Sequence, residues 1–446
     1  MADTAQVSAP SGLDAYFKIS ERGSSVATEV RAGVATFLVM AYIILVNPSI
    51  LSQIGFDTAA LAAGTSLIAG ILCIAMGVVA NYPIAMAAGL GLNAAVAFGL
   101  VFGDGLTPQG AMGVIVLEGI LVTVLVLIGL REKVMDAVPA SLKYAIGVGI
   151  GLFILFIGFV NGGLIQQGEG TPVQFVFPNS KEAALTLIGL VITVFLYSRG
   201  VKGALVLSIV VTTIVGLIMG VASMPESLSA APSFSTLGEF DLGNVFETLG
   251  LLAAVLTIFT FMLTDFFDTM GTATAIAEQA ELMDEDGRMP DVGKMLLVDS
   301  VGAALGGMAG VSSNTSYIES SAGVAEGGRT GLTSVVVGVL FLASIFLSPL
   351  ATLIPGQATA PVLILVGFLM ASLITKIDFA DLEEGFPALL AIVLMPLTYS
   401  ITVGIGAGFV MYTLIKLARG KVAEVNMWMW IVSVAFVVYF MQSILG

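Results

Sequence analysis

Residues 81–100 read NYPIAMAAGLGLNAAVAFGL and residues 309–328 read AGVSSNTSYIESSAGVAEGG. Both are short apolar blocks broken by glycine, proline or clustered hydroxyl residues, and neither reads as one plain helix. Around them lie uninterrupted apolar blocks of about 20 residues, the length needed to cross a hydrocarbon core. The first set runs at 30–51, 58–80, 83–101, 108–130, 140–161, 182–200 and 202–222. After an acidic loop, a second set runs at 249–277, 291–309, 311–325, 330–353, 358–375, 386–400 and 402–418. The two broken stretches are the third block of each set. A unit of seven spans, repeated, must insert the second time upside down, which is the inverted-repeat plan of secondary transporters. In that plan broken helices from both halves meet near the midplane and build the site. The expected fold is therefore an all-α polytopic membrane protein, a seven-plus-seven inverted repeat of about 14 spans, with half-helices in spans three and ten.

Composition agrees. Of 446 residues, 57% are hydrophobic and 11% charged, against roughly 25% charged in a soluble domain. A net charge of −15 argues against nucleic acid as a partner. Cys73 is the only cysteine and lies in a span, so no intrachain disulfide forms. There is no histidine, so any proton relay must use carboxylates. A nucleophile–base pair or metal cluster has few means here; the chain does not read as an enzyme, and no cofactor or metal is expected. The first stretch, MADTAQVSAPSGLDAYFKISERGSS, is polar and reads as a cytoplasmic segment, not as a cleavable signal.

The basic residues test the span reading. Lys18, Arg22, Arg31, Arg131, Lys133, Lys143, Arg199, Lys202, Arg288, Lys294, Arg329, Lys376, Lys416, Arg419 and Lys421 all fall on one side, and Lys181 alone falls on the other. That side is cytoplasmic by the positive-inside rule, and the N-terminus with it. A last apolar segment, 427–444, begins with Trp428 and Trp430; it either crosses the membrane or lies in its surface.

Polar residues at membrane depth are costly and mark function by default. In span three, GLGLN lacks the lysine and the soluble βαβ setting of a phosphate loop. Gly89 and Gly91 instead suit extended backbone where a half-helix begins, with Asn93 either its N-cap or an amide aimed into a cavity. In span ten, Ser312 to Ser316 cannot face lipid unpartnered. Ser316 and Glu319 fit a capping box, so Glu319 either ties off its helix or binds a ligand. In span eight, LTIFTFMLTDFFDTMGTATAIAEQ places Asp265, Asp268 and Thr272 on one helical stripe. Two carboxylates one turn apart repel, and one would hold a transferable proton. Asp299 and Glu118 are further intramembrane acids; Glu118 could simply bond a neighbouring helix. Phe98, Phe261 and Phe267 are candidate stacking rings or plain packing. The turn DEDGRMPD lacks the closing glutamate of a calcium loop, since Met295 stands there.

At these residues the chain resembles the AzgA-type purine permeases of the nucleobase–cation symporters. The stretches carrying the resemblance are TEVRAGVATFLVMAYIILVNPSIL, GLGLNAAVAF, DFFDTMGT, GKMLLVDSVGA, YIESSAGVAEGGRTGLT and ATAPVLILVGFLM, spread over nearly the whole chain. The resemblance implies a uracil-permease-like fold in the bacterial plasma membrane, with a cytoplasmic segment 1–29. It implies a core domain from spans one to four and eight to eleven (30–130 and 249–353), and a gate domain from the rest (140–222 and 358–418). It implies proton-coupled import of a purine nucleobase, and a homodimer through the gate. Carried over by motif, Asn93, Asp265, Asp268 and Glu319 match purine-binding positions, and Asp299 a coupling position. Thr272, Ser313 and Thr315 join the binding set, and Asp268, Asp299 and Glu319 the proton-coupling set. The polarity of SSNTSY favours hypoxanthine and guanine over adenine. The competing reading is an anion exchanger or channel of the same fold, which would favour a basic residue near spans three and ten.

Overall fold

The structure is a computed structural model. It describes residues 12–129, 138–176, 180–224, 231–284 and 289–445, with side chains to Met441. Arg131, Lys133 and Arg288, the first eleven residues of segment 1–29 and part of DEDGRMPD lie outside these.

Helices account for nearly all of it. In the first half they are α1 (Leu13–Phe17), α2 (Val26–Met40), α3 (Ile43–Leu51), α4 (Thr58–Ala75), α5 (Leu90–Ala94), α6 (Pro108–Leu127), α7 (Ala140–Asn161), α8 (Lys181–Ser198) and α9 (Ala204–Met219). In the second half they are α10 (Leu242–Leu249), α11 (Leu251–Gln279), α12 (Val292–Met308), α13 (Ser320–Ala325), α14 (Gly331–Ser344), α15 (Gly356–Ala371), α16 (Leu382–Thr398), α17 (Ile401–Ala418) and α18 (Met427–Leu445). Caps stand where the sequence supplies them: Ser25, Asp57, Thr107 and Ser180 each accept a backbone N–H from the first turn of the helix they precede. Among the described residues, nine helical stretches are long and apolar enough to cross a membrane. Span one is broken at Ala41–Tyr42 between α2 and α3. The α10 helix and a small hairpin, β2 (Ile165–Gln166) with β3 (Gln174–Phe175), fall in segments that had read as loops.

The two broken stretches meet. Strand β1 (Met86–Ala88) precedes α5, and strand β4 (Asn314–Ser316) precedes α13. They pair antiparallel, Met86 opposite Ser316, Ala87 opposite Thr315 and Ala88 opposite Asn314, and all six residues are buried. Further backbone bonds continue the ladder, from Gly89 N to Ser313 O at 2.9 Å and from Tyr317 N to Ala85 O at 2.9 Å. Extended backbone inside a membrane is tolerated only where its polar groups are satisfied within the protein. Here each half of the chain satisfies the other's.

Helix packing falls into two sets. In one, α14 packs on α2 and α4, and α6 packs on α12 and α11. In the other, α15 packs on α7 and α8, and α16 packs on α7 and α17. Small residues set the closest approaches: a Cβ on Gly70 would lie 3.0 Å from the Gly338 carbonyl oxygen, and one on Gly151 2.8 Å from that of Gly367. This is the close helix packing by small residues that membrane proteins use in place of a hydrophobic driving force. The last helix, α18, packs along α17, where Thr413 and Ser433 share a hydroxyl hydrogen bond of 2.8 Å.

Candidate functional site

The crossing of β1 and β4 sits against α11 and α12, and the acids of those helices point at it. Asp299 of α12 is the brace. Its Oδ1 accepts the backbone N–H of Ser316 at 3.1 Å and the Ser316 hydroxyl at 2.9 Å, and its Oδ2 accepts the Thr269 hydroxyl at 2.7 Å. Thr269 also meets Thr315, Oγ1 to Oγ1, at 2.8 Å. A buried carboxylate with this many donors fixes the strand to the two helices.

The structure corrects three local expectations. Asn93 is not a cap: Gly89 occupies the N-cap of α5 with extended backbone, and Asn93 lies inside the helix. Its amide is fully buried, and neither its oxygen nor its nitrogen has a hydrogen-bond partner among the described residues. Gly91 is helical as well; the place its Cβ would take is filled by Ile150 of α7, 2.4 Å away. Ser316 and Glu319 form no capping box, because Ser316 is committed to Asp299. Glu319 instead accepts the Tyr42 hydroxyl at 2.6 Å, and no side chain caps α13.

The aspartate pair of α11 is also divided. Asp265 is fully buried and accepts the Ser313 hydroxyl at 3.4 Å. Asp268 is exposed, on a face with Gly271, Thr274 and Ala275 that runs to the end of α11, and the charges it feels are those of Asp299 and Glu319. Asp268 thus answers to acids on other elements, and Asp265 to the hydroxyl of Ser313. Thr272 is buried one turn further on. The crossing therefore gathers Asn93, Asp265, Asp268, Asp299, Ser313, Thr315 and Glu319. Of the candidate rings, Phe98 packs among Phe102 and Tyr399, and Phe261 is core. Phe267 lies beneath Lys143 of α7, whose Nζ is 5.6 Å from the ring centroid, a cation–π contact between the two packing sets.

Sequence reasoning passed over Tyr42, Thr269 and Lys143. A hydroxyl-bearing ring in mid-span marked Tyr42, and the same i, i+4 rule that grouped the aspartates puts Thr269 beside Asp265. Lys143 gave no signal beyond its charge.

Chemically, the crossing offers carboxylate acceptors, hydroxyls and the uncommitted amide of Asn93. Asp268 and Glu319 form no ion pair with lysine or arginine among the described residues. This suits a neutral ligand rich in N–H donors.

On the basic side, away from the site, Glu383 at the start of α16 binds Lys416 at 2.6 Å, Lys421 at 2.7 Å and Arg419 at 2.6 Å. The hydrogen bonds from Lys416, Lys421 and Arg419 hold its carboxyl down to about 2. Glu326, after α13, joins Arg31 at 3.2 Å and Lys202, so a link runs from α2 to the segment before α9. The Lys202 hydrogen bond and charge, helped by Arg31, hold Glu326 below the usual carboxylate range.

Residues 27–442 match the family described as the Permease family. The chain belongs to this family, the nucleobase–cation symporters. This permease is 42% identical to the adenine permease AdeP of Escherichia coli over 435 residues, which cover 97% of each chain. It is 38% identical to the guanine/hypoxanthine permease PbuG of Bacillus subtilis over 441 residues, 96% of this chain and 99% of the other. The permease is a multi-pass membrane transporter and not an enzyme. Its fold is that of the transmembrane domain of BicA, a cyanobacterium bicarbonate transporter, with TM-score 0.64 at 16% identity over 86% of this chain and 97% of that one. That structure shares the seven-plus-seven inverted repeat.

Proposed function

We propose that this permease imports purine nucleobases together with protons across the plasma membrane, by alternating access. The observation that carries the reading is the buried, unpartnered amide of Asn93 at a crossing lined by Asp265 and Glu319. A purine presents N–H donors to carboxylates, and ring acceptors and donors that an amide can meet at once. The relatives named as adenine and as guanine/hypoxanthine permeases support the purine class without ranking its members. Acid-rich chemistry at Asp265 favours 6-oxopurines, which add an N1–H donor; hypoxanthine and guanine are therefore the preferred substrates, with adenine admitted.

Asp265 and Glu319 hold the base in this reading, with Asn93, Ser313, Thr315 and Thr272 around it, and Asp268, exposed beside them, takes the proton. Asp299 serves by positioning the strand. We read the two packing sets as core and gate, spans one to four with eight to eleven and the remainder of fourteen, and the gate as the face of a homodimer. An anion exchanger, the alternative on this fold, would need cationic groups where this site has acids.

Uptake of radiolabelled hypoxanthine into cells lacking purine transport tests the proposal, with competition by guanine, adenine and bicarbonate and with an uncoupler added. Uptake blocked by purines and abolished by the uncoupler at constant sodium is the expected result. Hypoxanthine uptake that neither guanine nor adenine inhibits overturns it.

A further inference from the structure

One cavity has no part in this scheme. It lies between the two packing sets and has a volume of about 340 Å³, a size that suits a small molecule. One side of it is α3 and the 3-10 helix Ile345–Leu353 that follows α14. The other side is Asn161, at the end of α7, with the first turn of α15. The four spans that carry these walls hold Arg31, Arg329, Lys143 and Lys376 at their opposite ends. By the positive-inside rule the cavity lies toward the outer face.

Donors and acceptors decide what the cavity takes. No charged side chain lines it. Asp57 precedes the lining residue Thr58, but it accepts the Ala60 N–H at 2.7 Å as the cap of α4. Three lining hydroxyls donate to their own helices: Ser49 to Val46 O at 2.7 Å, Thr352 to Pro349 O at 2.8 Å and Thr359 to Gly356 O at 3.0 Å. The Gln53 amide donates to Ser49 O at 2.9 Å. Each of these side chains keeps an oxygen lone pair with which to accept, so the walls call for donors. Asn161 adds an amide, partly exposed and hydrogen-bonded to no described residue, that can donate and accept at once.

Leu45 and Ile354 give the same cavity an apolar side. A lipid tail would leave the polar walls unsatisfied, and an ion would find no opposite charge. A small neutral ring with several N–H groups meets both kinds of wall. Helix α3 also ties the cavity to the crossing. Tyr42, which binds Glu319, stands just before α3. Ser49 lies two turns further along it, about 10 Å at 1.5 Å per residue.

We propose that this cavity is a second binding site for a neutral purine base, separate from the crossing and on its outer side. This rests on the reading of the chain as a purine permease. The base donates its N–H groups to Ser49, Thr352 and Thr359 and exchanges hydrogen bonds with Asn161, with its ring against Leu45 and Ile354. The walls come from both packing sets, so movement of one set against the other dismantles the site and releases the base.

The test uses the full-length protein in intact cells and a membrane-impermeant maleimide. Native Cys73 is buried, so single introduced cysteines report alone. Asn161→Cys probes one wall and Thr352→Cys the other; Val173→Cys, in the β2–β3 hairpin, is the control outside the cavity. Hypoxanthine should slow labelling of both cavity cysteines by the mass-action factor 1 + [L]/Kd, about threefold at twice Kd. It should leave Val173→Cys unchanged. The protection should persist when Asp265→Asn and Glu319→Gln are added together to disable the crossing. Protection that vanishes with those two changes comes from the crossing and overturns the inference, as does labelling that hypoxanthine slows at neither position. Thr352→Cys keeps the Asn161 amide, so it carries the test by itself if Asn161→Cys does not reach the membrane. Uptake by the parent is measured alongside. A parent that takes up no purine defeats the underlying reading, whereas uptake without protection defeats the outer site alone.

Discussion

The hydroxyl of Tyr42, at the break between α2 and α3, donates a 2.6 Å hydrogen bond to Oε1 of Glu319, at the start of α13. An aromatic of the first half thereby aims an acid of the second. Tyr42→Phe keeps the ring and removes the donor. The variant should fold normally and lose about tenfold in apparent affinity for hypoxanthine, about 1.4 kcal/mol. Glu319→Gln, with no cap to preserve, should lose about 1.5–3 kcal/mol. Inhibition constants in uptake assays measure both, and an unchanged constant in the glutamine variant removes Glu319 from the binding set.

Asn93 separates binding from stability. Its amide bonds to nothing in the described protein, so Asn93→Ala should leave the melting temperature of the purified permease unchanged or slightly raised, since a buried unsatisfied amide is itself costly. The thermal shift produced by saturating hypoxanthine should shrink or vanish. A variant that melts lower but keeps the full ligand shift would make Asn93 structural.

The two aspartates of α11 should behave differently because their surroundings differ. Asp268, exposed, should tolerate asparagine for binding and exchange while losing accumulation against a gradient. Asp265, buried against Ser313, should lose binding itself on replacement by asparagine. Calorimetry on purified protein and accumulation in vesicles measure the two halves of this claim. It fails if both variants accumulate hypoxanthine like the parent.

Glu383 gives a pH prediction outside the membrane spans. Its carboxyl, held at about 2 by Lys416, Lys421 and Arg419, titrates below the usual value of 4.5. A depressed folded value stabilises the protein at pH above the unfolded one, and the gain is lost as pH falls through the folded value. Glu383→Gln should therefore melt below the parent at pH 7. The gap should close as pH is lowered from about 4.5 toward 2, and high salt should narrow it at neutral pH. Melting curves of both proteins across that range check the sign.

Much of this was legible in the chain. Span limits follow from apolar runs and caps, and the broken stretches at 81–100 and 309–328 announced where backbone would leave the helix. The acids stood out because charge at that depth has few other reasons. Partnership was not legible. Whether Asp268 answers to Asp265 or to Asp299 and Glu319 depends on how α11 is seated against β4 and α13, which is set by tertiary contacts and not by any local pattern. The Ser316–Glu319 spacing matched a cap, yet the nearby carboxylate of Asp299 competed successfully for the serine. The short hairpin β2–β3 and the helix α10 lie outside the long apolar runs, and their signals were too brief to read.

The pairing of β1 with β4 also bears on how the protein is made. Residues 86–88 leave the ribosome more than two hundred residues ahead of their partners at 314–316. Until the second half is inserted, the backbone of the first strand must find a temporary partner in the membrane, from water, lipid headgroups or the insertion machinery. Halves expressed as separate polypeptides should then be short-lived alone and rescue each other when made together.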